Sequence, residues 1–172
     1  HSDSSHAPDR PYDNRSQTGV MVLLNGAPIY WASRKQVKGI SYSSALSEIY
    51  AMSEACRSAR LCAWKCDEMN VALPSCVCIQ VDNRQAVAFA KGECVNSKLA
   101  GCVDFRQEWV QQLRDKTQVE VKWVKSAECK ADILTKGMAN WVFQQRLNLL
   151  RGDLHKQHWL AVVALAQQSC SL

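Results

Sequence analysis

The apolar run Thr18-Gly-Val-Met-Val-Leu-Leu24 is followed by Asn25-Gly26 and a second apolar stretch, Ile29-Tyr-Trp-Ala-Ser33. Asn-Gly supplies the two positive φ angles that a tight hairpin turn needs, so the pattern predicts two antiparallel strands. From Ala45 to about Lys65 the apolar positions Leu46, Ile49, Met52, Cys56, Ala59 and Ala63 recur at threes and fours. They form one core-facing stripe of a long helix, with the hydroxyls of Ser41 to Ser44 fit to cap it. Cys76-Val-Cys-Ile-Gln-Val81 reads as a buried strand that ends on Asp82 and passes at once into a helical run, Arg84 to Lys91.

Further on, Cys102 to Lys116 is amphipathic, with Val103, Trp109, Val110 and Leu113 inward and Asp104, Arg106, Glu108, Gln112 and Asp115 outward. Gln118 to Val124 alternates as a half-buried strand, and Ser126 caps a predicted short helix from Ala127 to about Lys136. Trp141 to Leu150 is a final amphipathic helix, stopped by Arg151-Gly152. His1 to Ser16 reads as the end of a strand and a loop, with Pro8 and Pro11 excluding helix. The order of elements predicts an α/β fold: a mixed sheet with an antiparallel hairpin at one side and helices on its faces.

Composition narrows the class. A chain of 172 residues, 47% hydrophobic and 22% charged, suits one globular domain, expected over residues 1–140, with a C-terminal helix and tail over 141–172. The apolar stretch Trp159 to Ala166 is too short to span a bilayer, and no secretory leader opens the sequence, so an intracellular protein is expected. The nine cysteines are odd in number and lack framework or zinc-ribbon spacing, which predicts reduced core residues. His155 and His158 are expected to be solvated. A net charge of +5 permits a polyanionic partner, but the basic residues are spread over several elements, as they would be on any solvated exterior. P-loop, dinucleotide-binding, G-x-S-x-G and H-E-x-x-H signatures are all lacking from the sequence.

The candidate chemistry lies in four acids at element edges: Asp3 on the first strand, Glu48 on the first turn of the long helix, Asp82 at a strand end and Asp132 on the later short helix. Taken singly, each has a plain alternative. Asp82 could cap the following helix, and Glu48 could complement a helix dipole. The stretches that carry these acids are Ser2-Asp3-Ser-Ser-His-Ala7, Ser43-Ser-Ala-Leu-Ser-Glu48, Val81-Asp-Asn-Arg-Gln-Ala86 and Ala131-Asp-Ile-Leu-Thr-Lys136. With Arg15-Ser-Gln-Thr-Gly19 and Pro28-Ile-Tyr-Trp-Ala-Ser-Arg-Lys-Gln36, they occur in an order that resembles the ribonuclease H domain of copia-type LTR retrotransposon polyproteins.

The resemblance implies a ribonuclease H-like fold, a five-stranded mixed sheet flanked by helices, here with a truncated first strand in which only His1 and Ser2 precede Asp3. It implies that Asp3, Glu48, Asp82 and Asp132 are catalytic, metal-binding carboxylates. Such ligands suit two magnesium ions about 4 Å apart, with manganese a possible substitute. The activity implied is hydrolysis of the RNA strand of RNA/DNA hybrids during reverse transcription, beside a polymerase domain of a parent polyprotein, in a cytoplasmic particle or the nucleus. Expected substrate contacts are Ser4, Ser16, Arg34, Lys35, Gln36, Asn83 and Lys98. The chain departs from the pattern in two further places: Lys125 to Lys130 contains no histidine, and Ser97 to Cys102 replaces a lysine-histidine-isoleucine stretch. A catalytically silent, nucleic-acid-binding relic of the same fold, or a connection-like module, is the alternative.

Overall fold

In the computed structural model, residues 1–5, 15–36, 44–93 and 105–151 are described, apart from the side chains of 105–107, 149 and 151. Lys98, Ser41 to Ser43, Cys102 to Asp104, His155 and His158 lie outside them. Five strands, β1 (Ser2–Ser5), β2 (Gln17–Leu24), β3 (Ala27–Lys35), β4 (Val77–Val81) and β5 (Val119–Trp123), form one sheet in the order β3-β2-β1-β4-β5. The hairpin is as predicted: Asn25 and Gly26 take φ of 50° and 85°, and β2 and β3 pair antiparallel from Gln17↔Lys35 to Leu24↔Ala27. β1 runs antiparallel to β2 and parallel to β4, and β4 runs parallel to β5, so the sheet is mixed.

The α-helices among the described residues are α1 (Ser44–Glu68), α2 (Arg84–Ala90), α3 (Phe105–Asp115) and α4 (Asn140–Arg151). Val20, Ile79 and Val81 of the sheet pack with Ile49, Met52, Cys56 and Ala59 of α1, Val87 and Phe89 of α2, and Val110 and Leu113 of α3. The α1 stripe is therefore the core stripe expected from its spacing, although Ala63 is only half-buried. Among the described residues, no helix is long and apolar enough to cross a membrane.

β1 is short, and its position makes up for its length. Register pairs Asp3 with Gly19 and Ser2 with both Val20 and Val81, so the strand sits at the centre of the sheet with partners on either side. Beyond it, a cavity of about 420 Å³ opens between Met21–Leu23 and Val77–Gln80, floored by Ala55 and Ala59.

Several sequence expectations need correcting. Cys76 and Cys78 are exposed and not core residues, and Ser126 lies inside a 3-10 turn whose N-cap is Lys125, with no side-chain cap hydrogen bond. Ala127 to Lys136 is not one helix but two 3-10 turns, Ser126–Glu128 and Lys130–Leu134, separated by Cys129 in an extended conformation (φ −73°, ψ 103°). The thiol of Cys129 is fully buried and donates to the Ser2 carbonyl at 3.4 Å, which draws the chain into the sheet and interrupts the helical path. Glu48 is also not in the first turn: α1 is helical from Ser44, which puts Glu48 fifth in the helix and away from its N-terminal dipole.

The second 3-10 turn packs directly on β2. A Cβ added at Gly19 would sit 2.7 Å from Thr135 Cγ2 and 2.9 Å from the Ala131 carbonyl oxygen, so this close approach requires glycine. It brings Asp132 and Thr135 over Asp3.

Candidate metal centre

Three elements that are adjacent in space but distant in sequence each deliver one acid. Asp3 comes from the central strand, Glu48 from the buried face of α1, and Asp82 from the carboxyl end of β4, the sheet edge where ligands gather in α/β folds. One carboxylate oxygen from each lies within 4.8 Å of the other two. Asp3 is 1% exposed and Glu48 5%, while Asp82 is half-buried.

Neighbours hold each acid from one side. Ser4 donates to Glu48 Oε1 from its backbone amide at 3.0 Å and its hydroxyl at 3.2 Å. The other oxygen, Glu48 Oε2, is buried without a hydrogen-bond partner among the described residues. Thr135 Oγ1 donates to Asp3 Oδ2. Ser126 Oγ donates to Asp82 Oδ2 at 2.5 Å, and the Trp123 indole N–H donates to the Asp82 carbonyl at 2.9 Å. The Trp123 ring in turn lies 4.3 Å from the Arg84 guanidinium carbon.

The helix-cap alternative for Asp82 is answered by its neighbour. Asn83 Oδ1 accepts from the amides of Gln85 and Ala86 at 2.9 and 3.1 Å, so Asn83 is the cap of α2 and the Asp82 carboxylate is left for other partners.

Burial and mutual repulsion set the electrostatics. Desolvation, followed by the charges of Asp3 and Asp82, pushes Glu48 up to about 8 in spite of the Ser4 hydrogen bonds. Desolvation likewise raises Asp3 to about 6, against the opposing pull of Thr135 and Lys136. A buried carboxylate with an unsatisfied oxygen, facing two more carboxylates, is a site short of positive charge. Its donors are all hard oxygens, the set that magnesium or manganese takes, so the residues fit a divalent cation.

Asp132 is as buried as Glu48 but differently served. Its Oδ1 accepts from Lys136 Nζ, and Arg146 of α4 reaches its Oδ2 at 3.3 Å. Lys136 Nζ also lies 3.7 Å from Asp3 Oδ2, which makes it a bridge between Asp132 and the three-acid cluster. Burial works against the ammonium, but the Asp132 hydrogen bond and the charges of Asp3, Asp132 and Asp82 outweigh it and raise its pKa. Arg146 is anchored a second time, donating to the carbonyl oxygens of Ser126 at 3.1 Å and of Ala127.

Ser4 serves Glu48, as described. Ser16 is fully buried, with its hydroxyl 3.1 Å from that of Ser47, so in this conformation it is closed to a bound molecule. Arg34, Lys35 and Gln36 come together with Tyr30, Tyr50 and Arg57 around a cavity of about 220 Å³ between β3 and α1. Gln36 Nε2 is tied to Thr18 Oγ1 and to the Ser47 carbonyl, at 2.9 and 3.1 Å. Thr135, Trp123 and Arg146 are not candidates from sequence, and Ser126, expected only as a helix cap, serves Asp82 instead. Thr135 and Lys136 stand three and four residues after Asp132, a spacing that signals local contact, whereas Arg146 reaches the site through tertiary packing alone.

Comparison of the chain with models of known families, with curated proteins and with solved structures finds no match.

Proposed function

We propose that the protein is a metal-dependent endonuclease of ribonuclease H-like fold that hydrolyses the RNA strand of RNA/DNA hybrids, in the setting of retrotransposon reverse transcription beside a polymerase domain. The observation that carries the reading is the buried Glu48, clustered with Asp3 and Asp82 and with its Oε2 unpartnered among the described residues. Carboxylates desolvated in this way cost stability unless a cation joins them, which argues for ligands over a merely solvated acidic surface.

In this reading Asp3, Glu48 and Asp82 hold a divalent ion, and Asp132 stands beside them. The bound ion supplies Lewis-acid stabilisation of phosphate oxygens and lowers the pKa of an attacking water. The chain's own residues prepare the site. Ser4 fixes one Glu48 oxygen and leaves the other unengaged, and Ser126 with Trp123 fixes Asp82 at its side chain and its backbone. Arg34 and Lys35, at the rim of the β3–α1 cavity, supply positive charge for a nucleic-acid backbone. Recognition by backbone contacts and the 2′-hydroxyl suits a surface of spread basic residues, with the hybrid selected by shape.

The second reading, a silent module that binds nucleic acid, is favoured by Asp132, both of whose oxygens are already engaged by cations. A magnesium-dependent cleavage assay on a labelled hybrid separates the two. The wild type is expected to cut the RNA strand, leave duplex DNA intact, and lose activity in Asp82→Asn. Equal cleavage by wild type and Asp82→Asn would reject the assignment, and hybrid binding without cleavage by the wild type would establish the silent module.

A further inference from the structure

We infer that Lys136 is a resident cation occupying one of the two divalent-ion positions that four carboxylates would otherwise offer, so that the protein without nucleic acid takes up one divalent ion and not two. The inference rests on the reading of Asp3, Glu48 and Asp82 as metal ligands. It concerns the ammonium that links Asp3 to Asp132.

Lys136 Nζ bonds Asp132 Oδ1 and lies 3.7 Å from Asp3 Oδ2. A cation between Asp3 and Asp132 would need these same two carboxylates, so an ion and the ammonium compete for one place. Its tether is short: Lys136 is four residues after Asp132 and, although its side chain is 42% exposed, it follows a 3-10 turn pinned to β2 by the Gly19 contact. The neighbouring oxygens are engaged as well, since Thr135 Oγ1 donates to Asp3 Oδ2 and Arg146 holds Asp132 Oδ2. Among the described residues no cation pairs with Glu48, whose Oε2 has no partner there.

Charge points the same way. With all four carboxylates ionised, Lys136 and Arg146 offset two of the four negative charges, and the remainder is what one divalent ion neutralises. A second ion would turn the site positive and would find its ligands already paired. A phosphodiester adds the negative charge that makes a second cation favourable, and it offers Lys136 Nζ a new acceptor.

The test counts ions on the full chain without nucleic acid, by isothermal titration with manganese and by manganese electron paramagnetic resonance. One ion is expected for the wild type. Lys136→Met is expected to bind two, the second at least ten times more tightly than any second-site binding in the wild type. Lys136→Arg, which keeps the charge, should stay at one. Where the Met variant fails to fold by circular dichroism, Lys136→Gln retains the hydrogen-bonding group without the charge and is expected to bind two. Two ions on the wild type, or one on a folded charge-removed variant, would overturn the inference and leave the metal-ligand reading intact. No ion on the wild type would instead remove the reading on which it rests.

Discussion

Glu48 and Asp132 are each 5% exposed and flank the same central aspartate, yet the fold treats them in opposite ways. Glu48 receives two hydrogen bonds on one oxygen and none on the other, and its pKa rises to about 8. Asp132 receives a lysine on one oxygen and an arginine on the other. Burial alone therefore does not tell a ligand from a structural acid. What separates them is whether the cation they need belongs to the chain. Asp132 has its cations built in, whereas Glu48 Oε2 has none among the described residues.

The sharpest way to break that contrast is to neutralise the uncompensated side. Glu48→Gln should reduce magnesium-dependent hybrid cleavage by about 10³-fold, the scale seen when a group that stabilises developing charge is removed. Metal-free, the same variant should be more stable than wild type at pH 8 by urea titration, because it no longer buries a carboxylate that resists ionisation. A catalytic loss accompanied by lower stability would place Glu48 among the structural acids.

The pH dependence of stability sharpens the contrast without mutation. Asp3 and Glu48 have folded-state pKa values raised above their ordinary 3.8 and 4.5, so the folded protein holds protons that the unfolded chain releases. The contribution of these groups is fully present below about pH 4 and is lost as pH rises through about 6 for Asp3 and about 8 for Glu48. In EDTA, stability should fall by several kcal/mol over that window, as one pKa unit is worth about 1.4 kcal/mol. Magnesium should cancel the fall, with its stabilisation small at pH 5 and growing toward pH 8, and proton release should accompany binding. A flat metal-free profile between pH 4 and 8 would contradict the desolvated cluster.

Removing compensation from the other side is expected to do less. Arg146→Met should cost about 2 kcal/mol in chemical denaturation, the scale of a lost charged hydrogen bond with its partner still buried. Lys136 remains to Asp132, which is why the loss stays below that of a fully orphaned acid. The smallest effect is expected at the half-buried acid. Ser126→Ala removes one hydrogen bond from Asp82 and should weaken magnesium binding about tenfold, at the lower end for a group that orients a ligand. An unchanged binding isotherm would show that Trp123 and the backbone hold Asp82 unaided.

Much of this fold can be read from sequence because its signals are local. Asn25-Gly26 encodes a two-residue turn, the threes and fours from Leu46 to Ala59 encode a buried helix face, and the run ending at Val81 encodes a strand that leaves Asp82 at its tip. The segment from Ser126 to Lys136 misleads for the converse reason. Its composition is helical, but a single buried thiol, Cys129, is held by Ser2 more than a hundred positions away in sequence. Ser4 and Ser16 carry a related ambiguity, since a small hydroxyl suits a solvated loop or a buried hydrogen bond equally well, and only tertiary packing selects between them. The composition of the site divides in the same manner. Its acids sit in recognisable stretches, whereas Arg146, on a helix that reads as an ordinary amphipathic element, is visible only once α4 lies across the 3-10 turns.

That last contact bears on where this protein can be cut. Sequence divides the chain after residue 140, but the guanidinium that braces Asp132 and gathers the carbonyls of Ser126 and Ala127 lies at Arg146. A piece ending at Asn140 would retain the five strands of the described residues while leaving Asp132 to draw on Lys136 alone. The ion pair of Arg146 with Asp132 thus ties α4 to the 3-10 turns beside the sheet.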